Sequence, residues 1–234
     1  MTLFRLLVIL TMSTAWSDIG MGLTADDILR KADNIRNPTD SFVMDVTVND
    51  SSDGIWQYKI SMGGKNRSLI KTIQPKRDIG KNFLMLEQEM WVYIPNIRRA
   101  LRVALNQKMA GQFANGDIGR MRWHGNYKAK VVAQEKKEWI LALNAKKTGL
   151  TYEAMKVWID KKSYRPIKAE YLTRGGKVIK TVKISDYRKM AGTLRPTKFT
   201  IVSAENKSKT STLIVNSMVK TRFPSTHFTR QALK

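Results

Sequence analysis

The sequence predicts an α+β protein built on one large curved antiparallel sheet, with helices covering the concave face. Three observations carry this. One amphipathic helical stretch opens the domain, after which the apolar period changes from helical to two and holds for most of the chain. The alternating segments are joined mostly by short turns, as in a meander. Two of them are apolar at successive positions, so both of their faces need cover.

The helix is announced by Thr24-Ala25-Asp26-Asp27, a capping-box pattern with a hydroxyl followed three residues later by a carboxylate. Ile28, Leu29, Ala32 and Ile35 then recur at helical spacing until Asn37-Pro38 stops the run. From Ser41 the period is two: Phe42, Met44, Val46 and Val48 alternate with Asp45, Thr47 and Asn49. After the polar turn 50–54, Trp56, Tyr58, Ile60 and Met62 alternate with Gln57, Lys59 and Ser61 until Gly63-Gly64, which predicts a hairpin. Strand patterns follow over 81–86, 90–94, 98–105, 127–133, 139–145 and 152–160, from 167 across Gly175-Gly176 to 187, then over 197–204 and 210–219. In all, about ten strands are expected.

Two segments break this rhythm. Residues 106–126 are rich in Gly, Ala and Asn and are expected to form loop with a short helix capped by Asn115. Met109, Phe113, Ile118, Met121 and Trp123 give that segment an apolar side, which suits either a mobile lid over a cavity mouth or a static cap packed into the core. The tail 224–234 is expected to add a short terminal helix.

Arg5 followed by Leu6-Leu7-Val8-Ile9-Leu10 and then by small residues has the layout of a secretory signal peptide over residues 1–17, with cleavage after Ser17 or as late as Gly22. This leaves residues 18–234 as a single domain of about 210 residues, enough for one buried core. The apolar run is short of the roughly 20 residues that span a bilayer. With 42 basic against 19 acidic residues the chain carries +23, and loss of residues 1–17 removes only Arg5 and leaves +22. In a cytosolic protein that balance would point to nucleic acid. Export redirects it to an anionic membrane surface, and no nucleic-acid partner is expected. Lys59, Lys156, Lys168, Lys180, Lys183 and Lys198 occupy polar positions of separate strands, so the charge is expected on a spread face; solubility alone is the competing account.

Chemistry is scarce. With no cysteine, disulfides, thiol catalysis and thiolate metal sites are excluded. His124 and His227 have no metal-ligand spacing, no hydrolase elbow or phosphate loop is present, and Glu87, Glu89, Asp117, Asp160 and Asp186 come from different elements. Binding is therefore expected, without cofactor or metal. The residues expected to contact a ligand are Phe42, Met44, Val46, Trp56, Tyr58, Ile60, Met62, Met85, Trp91, Tyr93, Leu101, Val103, Phe113, Trp139 and Trp158. Methionine suits a wall that adapts to flexible acyl chains, because its thioether is unbranched and polarizable. A solid core built of the same residues is the alternative.

The stretch MWVYIPNIRRALRVALNQKMAGQFANGDIGRM, residues 90–121, resembles the outer-membrane lipoprotein-sorting proteins of the LolA-like superfamily. NPTDSF from Asn37, KVWIDKKSYRPIKAEY from Lys156, GGKVIKTVKISDYR from Gly175 and GTLRPT from Gly192 extend the likeness over nearly the whole mature chain. It is to the paralogues more than to the dedicated carrier. The resemblance implies an incomplete, half-open β-barrel lidded by helices, whose apolar cavity shields the acyl chains of a lipoprotein or another lipid during passage through the periplasm. It also implies a monomer. Arg98 and Arg99 belong to the shared motif, with no role transferred. The competing reading is an interaction module with a filled core, docked on an envelope transporter or stress sensor; a lipid hydrolase would need a Ser or Asp beside a base in the cavity.

Overall fold

A computed structural model describes residues 23–64 and 66–234; the leader and both candidate cleavage points lie outside the described residues. The opening helix, α1, spans Ala25–Arg36. Its capping box is formed: the Thr24 hydroxyl accepts from the Asp27 amide at 3.1 Å, while Asp27 returns an acceptor to the Thr24 amide at 3.4 Å. Ile28, Leu29 and Ala32 give α1 a buried stripe at the spacing of one helix face.

The chain then runs through β1 (Phe42–Asp50), β2 (Gly54–Met62), β3 (Arg67–Gln74), β4 (Phe83–Leu86), β5 (Glu89–Ile94) and β6 (Arg99–Val103). A two-stranded ribbon, β7 (Lys108–Ala110) and β8 (Phe113–Ala114), leads into a single helical turn, α2 (Asn115–Ile118). A second meander follows: β9 (Tyr127–Gln134), β10 (Glu138–Ala145), β11 (Ala154–Asp160), β12 (Pro166–Leu172), β13 (Val178–Met190), β14 (Thr193–Ser203) and β15 (Thr210–Lys220).

These two meanders are sewn together where β1 pairs antiparallel with β15, giving a thirteen-stranded sheet in the order β6-β5-β4-β3-β2-β1-β15-β14-β13-β12-β11-β10-β9. The outermost strands β6 and β9 do not pair, so the sheet stays open as an incomplete barrel. α1 lies across its inner face, touching β9, β12 and β14. Around it close Phe42, Met44, Val46, Ile60, Met62, Met85 and Met90 from the first meander and Leu141, Leu143, Val157, Ile159 and Ala169 from the second.

β3 escapes the period-two reading for a physical reason. Ser68, Leu69 and Ile70 are all buried, because both faces of the sheet are covered there, and a strand buried on both sides shows no alternation. The outer cover is the C-terminal tail, two short helical turns at Ser225–Phe228 and Arg230–Leu233, in place of one terminal helix. Phe228 and Leu233 pack on Leu69 and Leu84, and the Asn82 side-chain amide donates to Leu233 O at 2.9 Å. Gly63 lies directly beneath the Phe228 ring, where a β-carbon would collide with it. Each fully buried leucine of this cluster contributes about 1.5–3 kcal/mol relative to exposure, which holds the tail down.

Candidate functional site

Gly111, with φ of +52°, turns the β7–β8 ribbon back on itself. The Gln112 amide then donates to the Ser211 hydroxyl at 2.7 Å, tying the ribbon to β15. α2 is capped otherwise than expected. Ala114 is the N-cap, and the Asp117 carboxylate accepts the Ala114 amide at 2.9 Å; Asn115 is the first helical residue, its side-chain amide donating to Ala104 O at 2.7 Å. Phe113, Ala114, Ile118, Met121 and Trp123 are buried, so the segment sits closed against the sheet.

Between this segment and the inner face of β11–β15 lies a cavity of about 40 Å3. Its apolar wall includes Phe113, Met121, Trp123, Met155, Phe199 and Leu213; Arg36, Asp117, Arg120, Tyr127, Tyr152 and Tyr171 bring polar atoms to it. A water needs roughly 10–15 Å3 of such space, so the closed cavity has room for about three waters and none for an acyl chain. The Tyr152 hydroxyl donates to Asp117 at 2.6 Å, Tyr152 stacks on Tyr171 with ring centroids 3.8 Å apart, and the Tyr127 hydroxyl donates to Tyr152 O at 2.9 Å. Burial raises the Asp117 carboxyl above the usual range, against the lowering pull of Lys180 and of the Tyr152 hydrogen bond. Among the described residues no serine or histidine lines this cavity.

Behind the polar end is a buried charge cluster. Asp33, fully buried on α1, pairs with Arg36 at 2.8 Å and Arg122 at 3.6 Å, and accepts the amides of Trp123 at 3.0 Å and His124 at 3.1 Å. Arg120, Arg122 and Arg195 all donate to carbonyls at the C-terminal end of α1: Arg36 O, Asn37 O, and the pair Asn34 O and Ile35 O respectively. These are the carbonyls a helix leaves without partners, and cations there are favoured by the dipole. Burial, then the charges of Arg36 and Arg195, hold the Arg120 guanidinium down to about 9. Arg36 lies over the Trp123 ring at 4.0 Å.

The residues expected to contact a ligand do not all meet. Phe42, Met44, Val46, Ile60, Met62 and Met85 are at most 2% exposed and form the solid inner core. Phe113 alone of the set lines the 40 Å3 cavity. Trp56, Tyr58 and Val103 line a separate groove of about 250 Å3 with Phe83, Val92 and Met109. Leu101, on the edge strand β6, is 46% exposed, and Trp139 packs on Tyr164 with centroids 5.4 Å apart. Trp91 and Tyr93 require correction: they stand on the outer face, against the tail cluster, because each is one residue out of phase with inward-facing Met90 and Val92. Trp158 is likewise outward, under the Lys168 ammonium at 4.1 Å, between inward Val157 and Ile159. Among the lysines expected on one face, Lys180 instead turns inward and donates to Gln112 O at 2.7 Å.

Sequence reasoning missed Asp33, Arg36, Arg120 and Arg195. A signal did exist at α1, where Asp33 and Arg36 fall on the same helical face as Leu29 and Ala32, a charged pair in an apolar stripe. His124 bonds Asp26 at 3.1 Å and His227 stacks on Phe223 at 4.3 Å. Among the described residues no cluster of His, Cys, Asp and Glu could hold a metal ion, and no helix is long and apolar enough to cross a membrane.

A family model described as "-like: Uncharacterized protein" matches residues 64–234. No curated protein matches the chain. Among solved structures, a LolA superfamily protein from Nitrosomonas europaea superposes with a TM-score of 0.84 at 29% identity, over 89% of this chain and 99% of that one. A domain provisionally described as an outer membrane lipoprotein-sorting protein, from Vibrio parahaemolyticus, gives 0.75 at 18% identity, over 89% and 97%. A DUF1329 family protein from Desulfovibrio piger gives 0.75 at 20%, over 90% and 98%.

Proposed function

The chain belongs to the family whose model matches residues 64–234 and is LolA-like, and on that premise we propose that it is an exported periplasmic carrier that binds lipoprotein acyl chains or another lipid inside its incomplete barrel. The observation that carries this is the cavity between the 113–127 segment and the inner face of β11–β15, whose wall is largely aromatic with Met121 and Met155 among it and whose cover is a separate segment. At about 40 Å3 the cavity is too small for an acyl chain, so loading requires that segment to lift and apolar side chains to part. Each CH2 of a chain that entered would gain about 0.8 kcal/mol before the ordering losses of binding.

The filled inner core favours one second reading, an interaction module that docks on an envelope transporter or stress sensor and binds no lipid. Native mass spectrometry with lipid extraction, on protein purified from periplasm, separates the two. Co-purifying lipid or acylated peptide is expected. Apo protein, recovered repeatedly and unable to take up a fluorescent fatty acid, would leave the docking module.

A further inference from the structure

Four guanidinium groups, those of Arg36, Arg120, Arg122 and Arg195, converge on the end of α1; Asp33 is paired with Arg36 and Arg122, and the charge of Asp40 acts on Arg195. All four are at most 8% exposed. The α1 carbonyls they meet supply about half a negative charge, too little to neutralise the excess. The Asp117 carboxyl, raised above its usual range by burial, is the acidic group that lines the cavity itself. Buried charge without a counter-ion costs several kcal/mol per ion, so a fold that keeps it needs either a further partner or a strong structural return.

The deficit is concentrated at Arg120. Its backbone is left-handed at φ of +57°, an uncommon state for a residue with a side chain, and Arg36 O is its one protein acceptor among the described residues. The Nε–H groups of Arg36, Arg120 and Arg195 are buried and meet no acceptor. Arg36 and Arg120 line the 40 Å3 cavity, and Arg120 and Arg195 line a second one of about 10 Å3 walled by Met44, Met190, Val215 and Met218. Arg120 therefore borders both apolar-walled spaces. Helix capping accounts for the Nη contacts of Arg120 and Arg195, and Asp33 and Met121 O for those of Arg36, which leaves the Nε donors and the excess charge unexplained.

We propose that Arg36 and Arg120 form a buried oxyanion site that takes the carboxylate or phosphate head of a single-chain anionic amphiphile, whose tail lies along the Phe113, Met155 and Phe199 wall. The inference rests on the lipid-binding reading and narrows it to a cargo with a negative head. Space for about three waters matches a compact oxyanion, so the head can seat in the cavity as it stands, while the tail needs the 113–127 segment to open. Guanidinium groups suit such heads because their N–H groups can bond two oxygens at once.

The test compares three ligands with one oleoyl chain: oleate, oleoyl lysophosphatidate and neutral monooleoylglycerol. Binding to delipidated protein is followed by tryptophan fluorescence and calorimetry at high salt, where the exposed lysines are screened. At least one anionic ligand is expected to bind about tenfold or more tightly than the neutral one, and the stronger of the two names the head as carboxylate or phosphate. Arg120→Gln should bring the ratio of anionic to neutral affinity close to one. Arg36→Gln is the second variant should the first fail to fold, and the wild-type comparison stands without either. Equal binding of all three ligands would overturn the oxyanion site and leave the lipid carrier intact. Binding of none would overturn both.

Discussion

Replacing Asp33 by asparagine tests whether α1 and the 113–127 segment are locked together by this one carboxylate. Its Oδ1 receives Arg36, and its Oδ2 receives the Trp123 and His124 amides. An asparagine has one acceptor oxygen, so its NH2 must face either the guanidinium or the two amides, donor against donor. Loss of one partner of a buried pair costs about 3–5 kcal/mol, and the mismatch places Asp33→Asn toward the upper end. Against a typical stability of about 5–15 kcal/mol this is a large fraction, and at about 2–4 °C per kcal/mol the melting midpoint should fall by roughly 6–20 °C. Urea unfolding followed by tryptophan fluorescence measures the loss. Hydrogen exchange locates it: amides of 113–127 should exchange faster in the variant, whereas β1, β2 and β15 should change little. A loss under about 1 kcal/mol, with exchange unchanged in that segment, would refute the account of Asp33 as its lock. In the unsubstituted protein, exchange as slow there as in the neighbouring strands, unaltered by lipid, would make the segment a permanent cap.

Asp117→Asn should stabilise the protein increasingly as pH rises. The raised carboxyl of Asp117 contributes stability that is fully present below its ordinary range near 4 and is lost as pH climbs through the raised folded value, so the melting midpoint of the variant should draw ahead of wild type as pH rises above about 4; a difference independent of pH contradicts this. The outer face carries Lys59, Lys156, Lys168, Lys183 and Lys198 on five strands, and two of these are held by surface ion pairs, Lys59 with Asp45 and Lys168 with Glu170. Association with anionic vesicles should weaken steeply between low and physiological salt, since the screening length is then about 8–10 Å, and sedimentation with equal amounts of neutral vesicles would leave solubility as the role of the charge.

Local patterns in the sequence determined α1 with its capping box, the β1–β2 hairpin and the antiparallel meander, because a capped helix and a half-buried strand are each defined by residues within a few positions of one another. They also determined which faces of β1 and β2 turn inward, though Trp158 on β11 faces outward against that reading. Where both faces are covered the alternation disappears: β3 could not be read, and Trp91 and Tyr93 fell on the wrong side of β5. Only the tertiary structure decided what covers the outer face, since that depended on a tail more than 130 residues further along folding back over Leu84. The arginine cluster was equally out of reach. Asp33 and Arg36 lie about 85 residues from the Arg120–His124 turn and about 160 from Arg195, and what brings them together is the end of α1, whose unpartnered carbonyls exist as acceptors once the helix has formed and the sheet has curved around it.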